Sequence, residues 1–328
     1  MRRTFPGLLV AVLALSFLSS PAHAQSDDLS EALGNIGEEY ATNYTQPVTD
    51  ALGAGLNAGL FRTAEVGGRG LVPALDVYVG VSAMGAFTSG SADSFQPEDE
   101  QFTTDNGRTV TITYNPDRVP TAFGEENSPG TATISDEQGN STEVELPPGL
   151  LNTSIAPLAV PQVGVGTLLG TDAQLRYLPE TSISSYGSVS LFGLSVRHSL
   201  SQYIPLSPVD LAVQGTWQSL SVSGNEQDGV VDASGWALNA QVSKSLPVAP
   251  ITFYGGLQYE QFGVDVNYTF RPTDGSDLGQ SEIAFEQDAS NSVRALAGVS
   301  VSLAVFQFNV DYALSANNTV SAGLGLTL

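Results

Sequence analysis

From Phe306 to Leu314 apolar and polar residues alternate. Phe306, Phe308, Val310, Tyr312 and Leu314 fall on one side, Gln307, Asn309, Asp311 and Ala313 on the other. Val320, Ala322, Leu324, Leu326 and Leu328 repeat the pattern against Ser321, Gly323, Gly325 and Thr327. A period of two belongs to a strand with one apolar face, and Ala316-Asn317-Asn318 joins the two runs as a tight turn. The same alternation recurs upstream, in residues 75–87, 173–177, 186–199, 209–217, 236–242, 251–259 and 293–303. Ile155–Thr167 is counted with them although Pro157 and Pro161 weaken it, because without it the number of strands is odd. The strand at 173–177 is expected to end at Pro179. Two strands change their apolar side part-way, between Leu191 and Phe192 and again near Gln261, and a bulge is expected at the first.

Ten such strands, with short turns alternating with longer connections, predict an all-β chain. It reads as an antiparallel transmembrane β-barrel of about ten strands, occupying residues 71–328 and preceded by an amphipathic helical segment. Both ends of the strand array are expected on the periplasmic side. The longest connection, 89–150, should point outward. Within it 109–114 and 131–135 flank the turn-like stretches Asp105-Asn106-Gly107 and Glu137-Gln138-Gly139-Asn140.

The first residues have another origin. Met1-Arg2-Arg3, the apolar run 8–18 and Ala22-His23-Ala24 follow the order of a secretory signal peptide, assigned to 1–24. That run is too short to cross a membrane as a helix, so the remaining chain can enter lipid only as a closed barrel. In residues 25–70, Ser26 is an N-cap candidate followed by Asp27, Asp28 and Glu31, where the helix dipole favours acids. Leu29, Leu33, Ile36, Tyr40 and Tyr44 share one helical stripe, and Pro47 ends this helix or opens a second. Ala51, Gly55 and Gly59 recur every four residues and permit close approach to another surface. The apolar stripe must be buried somewhere. The acids Asp27, Asp28, Glu31, Glu38 and Glu39 and the absence of basic residues from 26–61 argue against an anionic membrane surface, leaving a plug in the lumen or a cap on the periplasmic mouth.

Charge narrows the partners. There are 34 acidic and 11 basic residues, a net charge of -23, and Lys244 is the only lysine. Such a chain does not bind nucleic acid through its phosphates. Without cysteine it has no disulfide, thiol nucleophile or thiolate metal site. Twelve of the acids lie in 89–149 beside only Arg108 and Arg118. Glu98, Asp99, Glu100 and Asp105 are weak candidate Ca²⁺ ligands, but the ordered spacing of a dedicated calcium loop is missing and a solvated acidic surface explains them better. No cofactor is expected. Gly164-x-Gly166-x-x-x-Gly170 lacks the helix that a dinucleotide loop needs. His198 has no nucleophile and orienting carboxylate in the pattern of a triad, so no enzymatic activity is expected.

The polar faces supply the candidate lumen residues: Arg176, Gln214, Gln241, Gln258, Glu260, Arg294, Asn309 and Asp311. Glu260 and Arg294 stand at similar heights on consecutive strands and are expected to form an inward ion pair, since an isolated charge there would be costly. Trp217 and Trp236 lie equidistant from the centre of their hairpin on apolar faces, the positions of an aromatic girdle.

Pro161-Gln162-Val163-Gly164-Val165-Gly166, Leu175-Arg176-Tyr177-Leu178-Pro179, the stretch from His198 to Pro205 and the Gly- and Asn-rich 52–61 together resemble an uncharacterised family of outer-membrane barrel proteins from Bacteroidota-type bacteria. More distantly, the architecture is similar to that of the long-chain fatty-acid outer-membrane transporters, which carry an N-terminal plug and more strands. The resemblance implies a barrel in the outer membrane of a diderm bacterium, reached after Sec export. The expected partners are outer-membrane lipid, the barrel-assembly machinery through the C-terminal strand, and a small hydrophobic molecule. Two functions stay open. One is a channel or transporter for small hydrophobic solutes; the other is a structural or surface-interaction barrel with a filled lumen.

Overall fold

Ten antiparallel strands close into a barrel around one helix in the computed structural model of the chain. The structure describes residues 26–66, 75–270 and 281–328, apart from breaks at 89, 91, 104–108, 126–129, 147, 150, 168, 183–187 and 224–228. Residues 1–24, expected to be a signal peptide, the turn residue Leu168, the loop around 273–279 and Asp105 lie outside the described residues.

The helix α1 spans Ser26–Leu56. The barrel strands are β1 (Leu75–Phe87), β2 (Ile155–Thr167), β3 (Thr171–Ser182), β4 (Ser188–Ser199), β5 (Asp210–Ser223), β6 (Gly229–Ser245) and β7 (Ile251–Phe270). They are followed by β8 in two pieces (Ser281–Asp288 and Val293–Leu303), β9 (Phe306–Leu314) and β10 (Thr319–Thr327). Each pairs antiparallel with its neighbours in sequence, and β1 pairs with β10 to close the ring. At one end 168–170, 246–250 and 304–305 are short and 200–209 is the exception; the connections at the other end include 271–280 and the 67 residues between β1 and β2. That connection folds as a four-stranded antiparallel sheet, Glu100–Thr103, Thr109–Asn115, Thr131–Asp136 and Ser141–Glu145, with a small ribbon of Ser94–Phe95 and Val119–Pro120.

Burial alternates strictly along most strands. In β9 it reads exposed–buried throughout, with Phe308, Val310 and Tyr312 outward and Gln307, Asn309 and Asp311 inward. This polarity is the reverse of a soluble sheet. Large apolar side chains cover the outside and amides and charges fill the inside, the arrangement a strand takes between lipid and a polar lumen.

Three expectations are corrected. Neither strand that changes its apolar side slips. Leu191 faces inward at 3% exposure and Phe192 outward at 43%; Tyr259 faces outward and Phe262 inward, in unbroken alternation. What changes is the lining. Nearer the long-loop end the lumen is apolar, because Leu191, Leu220, Phe262, Val264 and Phe285 pack with Leu56 and Ala58. Second, the bulge lies on β3. Leu178 pairs with Leu191 and Thr181 with Val189, so three steps on β3 match two on β4. Pro179 sits in the extra turn of chain, where its missing N–H is harmless, and the strand continues to Ser182. Third, Pro47 lies inside α1, which remains one helix. An interior proline costs about 3 kcal/mol, and here contacts on both sides hold the course: Gln287 donates to the carbonyl of Thr42, and Val48 is buried. The helix runs in from the long-loop end, as its contacts below show.

Trp217 and Trp236 are direct cross-strand partners and both are exposed on the outer wall. Phe192 lies tilted against Trp217 at 6.2 Å between centroids and Tyr259 against Trp236 at 5.4 Å. Tryptophan fluorescence in brominated lipid should place both rings at headgroup depth. Quenching strongest at the bilayer centre would contradict this.

Candidate functional site: the plugged lumen

The lumen of ten strands is about one helix wide; a helix with its side chains measures about 10–12 Å across. α1 and the chain that follows it fill that space. From Tyr40 to Ala64 most side chains are buried, with Ala54 at 0% and Leu56, Leu60 and Phe61 at 1–2% exposure.

The helix enters at the long-loop end. Gln287 at the break in β8 grips it there, accepting from the hydroxyls of Thr45 and Thr49 at 3.1 and 2.8 Å and donating to the carbonyl of Thr42. Ser290 donates to Asp50 from its backbone and side chain. One close approach falls at Gly53, where a Cβ would come within 2.9 Å of Ala289 and Phe262. Of the small-residue row, Ala51 is buried, a Cβ on Gly55 would meet Leu158 at an ordinary 3.8 Å, and Gly59, beyond the helix at φ +63°, lies so close to Ser82 Oγ that a Cβ would clash with it. Leu29, Leu33 and Ile36 fall within α1 in a stretch whose side chains are not among those described; Tyr40 is buried at 2%.

The end of a buried helix exposes carbonyls that must find donors. No basic residue lies in the last turn of α1, and the wall supplies them instead. Arg294 donates to the carbonyl of Ala54 at 2.9 Å. Arg176 donates to Leu56, Ala58 and Gly59 at 2.8, 3.0 and 2.6 Å. Gln218 also donates to Leu56 at 3.0 Å and Gln258 to Asn57 at 2.9 Å. Below them Arg197 donates to Thr63, Ser243 accepts from the backbone of Ala64 at 3.0 Å, and the Arg62 guanidinium lies 3.7 Å over the Tyr78 ring. Two cations thus sit against the negative end of the helix dipole.

The candidate lumen residues are all inward, between 1 and 4% exposed. Arg294 donates from Nε and Nη2 to Glu260 at 3.1 and 2.8 Å, a bidentate pair. Gln258 donates to Glu260, Asn239 to Gln258 at 3.3 Å, and Gln241 to Asn239 and Gln214 at 2.8 and 2.6 Å. Six side chains from β5, β6, β7 and β8 therefore form one connected chain. Asp311 stands apart, accepting from Tyr254 at 2.9 Å and from Ser321. Asn309 is buried on the same strand. Gln218, Asn239 and Arg197 were legible as polar-face residues of their strands; nothing in the sequence marks Arg62.

Other candidates are not assembled. Glu98 and Asp99 are exposed, Glu100 begins a strand of the insertion, and no group of three or more His, Asp or Glu able to hold a metal occurs among the described residues. His198 bonds Thr171 at 2.7 Å and Tyr203 at 3.0 Å at the short-turn end, tying a turn to the barrel.

A family model matches residues 1–328. The chain belongs to the family of unknown function DUF6588. The comparison with curated proteins finds no match. Among solved structures, the translocator domain of the autotransporter NalP from Neisseria meningitidis is 13% identical, covering 93% of this chain and 99% of that one with a TM-score of 0.25. A loop-deletion form of OmpT, an outer membrane protein of Vibrio cholerae, is 9% identical over 77% and 99% with a TM-score of 0.25. The CymD monoaromatic hydrocarbon channel is 9% identical over 77% and 88% with a TM-score of 0.22. Likenesses this distant say nothing of activity.

Glu260→Leu should leave Arg294 as a buried unpaired cation and cost about 3–5 kcal/mol. Adding Arg294→Met should recover part of that loss. Urea unfolding of the micelle-folded protein checks this, and additive single and double effects would show no coupling. Arg176→Ala should remove three charge-assisted bonds from the chain below α1, each worth about 1.5–3 kcal/mol. The expected readout is new protease cleavage within residues 57–63.

Proposed function

We propose that the protein is an outer-membrane barrel, closed at rest, that carries a surface-interaction module. Its short-turn end faces the periplasm and its long-loop end the exterior, the usual sense for such barrels. The module is the acidic β-insertion together with the upper part of α1. The observation that carries this reading is their common core. Tyr40, Tyr44 and Val48 of the helix are buried with Ile112, Tyr114, Val119, Phe123 and Ile134 of the insertion. The Tyr44 hydroxyl donates to Pro148 at 2.8 Å, and the backbone of Ala122 donates to Tyr44 at 3.0 Å. Burial, together with Tyr44 and Tyr114, pushes the Tyr40 phenol well above its ordinary range, so it packs as a neutral ring. A helix shared between lumen and insertion holds the insertion in one place while it blocks the passage.

The second reading is a gated channel for small hydrophobic solutes. The lining favours it, since an apolar tier at the outer end and a hydrogen-bonding tier below would remain if the segment withdrew. Its cost is every bond just described, so opening would need a partner or ligand that binds the withdrawn state.

Liposome swelling separates the two. The full-length protein should pass no sugar or amino acid, and deletion of residues 27–61 with the signal peptide retained should raise flux or single-channel conductance. A full-length protein that passes solutes overturns the closed reading and favours the channel. A truncated barrel that inserts and stays closed removes α1 as the seal.

A further inference from the structure

We infer that the chain crosses the membrane eleven times, ten times as strands and once as α1 with its extension, so that the residues before Tyr40 emerge on the outer face while Leu328 stays at the periplasmic end. The inference rests on the orientation given under Proposed function and adds the direction of the N-terminal segment.

The direction follows from partners at successive heights. Tyr44 is bonded to Pro148 and Ala122 of the insertion. Thr49 and Asp50 meet Gln287 and Ser290 at the break in β8. Leu56 meets Arg176 and Gln218 in the middle of β3 and β5. Ala64 meets Ser243, two residues from the short-turn end of β6, and Thr63 meets Arg197, two residues from the same end of β4. From residue 44 to 56 the helix descends about 18 Å at 1.5 Å per residue. The seven residues from 57 to 63 span at most about 25 Å when extended. Together these reach across a hydrocarbon core of about 30 Å. Above Tyr40 the helix continues to Ser26, fourteen residues or about 21 Å further on the same axis. A segment that capped the barrel from the periplasm would make the first of these contacts last.

The consequence is a second element at the cell surface. Ser26–Glu39 carries Asp27, Asp28, Glu31, Glu38 and Glu39 without a basic residue. An acidic stretch of sequence and an acidic insertion would then share one side of the membrane.

The protein has no cysteine, so single-cysteine variants report sidedness directly. Asp27→Cys tests the segment. Glu137→Cys, in an exposed turn of the insertion, and Val248→Cys, exposed in a short turn, test the orientation independently. With a membrane-impermeant maleimide on intact cells, Asp27→Cys and Glu137→Cys should label to similar extents. Val248→Cys should label only after the outer membrane is permeabilised. Labelling of Asp27→Cys only after permeabilisation, with Glu137→Cys reactive throughout, overturns the crossing and leaves the orientation standing. Reversed labelling of Glu137→Cys and Val248→Cys overturns the orientation and the inference with it. An epitope inserted between Gln25 and Ser26 covers the case of a shielded thiol: antibody binding to intact cells supports the crossing, and an epitope hidden until permeabilisation sinks it.

Discussion

The structure depends on donors from the barrel wall reaching the carbonyls at the end of a buried helix. A helix that stops inside a lumen leaves acceptors where bulk water cannot serve them, and each unmet one costs as much as a good contact gains. Arg176 and Arg294 meet four of them from opposite parts of the wall. The same arginines are buried charges and need partners of their own. Arg294 has Glu260, and through Gln258 that carboxylate joins the amide chain to Gln214. The polar tier is therefore a single solution to two problems, the helix end and the wall charges. This explains why it lies at one height and gives way to apolar side chains above.

The strands were readable because lipid imposes period two on every one of them. Phe306 to Leu314 needs no context to be read. At Leu191 and near Gln261 the alternation is intact and the lining changes, so an inward Leu191 or Phe262 mimics a change of side. The helix accounts for both, and the sequence of a strand does not say what fills the space it faces. Pro179 taught the opposite lesson. It looked like a strand end, yet a barrel strand paired on both sides absorbs a proline by bulging.

The candidate site was half legible for the same reason. Inward position follows from parity, so Glu260, Arg294 and Gln258 could be named from alternation. Their targets could not, because backbone carbonyls of residues 54–59 carry no signature in the sequence. The row Ala51, Gly55, Gly59 had a helical spacing, but α1 ends at Leu56, and Gly59 serves its turn instead. There a Cβ would clash with Ser82 Oγ.

The closing seam joins the two extremes of the wall. β10 pairs with β1 along nine residues, and Leu328 exchanges backbone bonds with Val77. Bringing partners so distant in sequence together costs loop entropy. The helix and the turn below it are bonded to β3, β5, β7 and β8 at once, and this offsets part of that cost by gathering the wall round one axis. The contents of the barrel thus act as a former for the ring that encloses them.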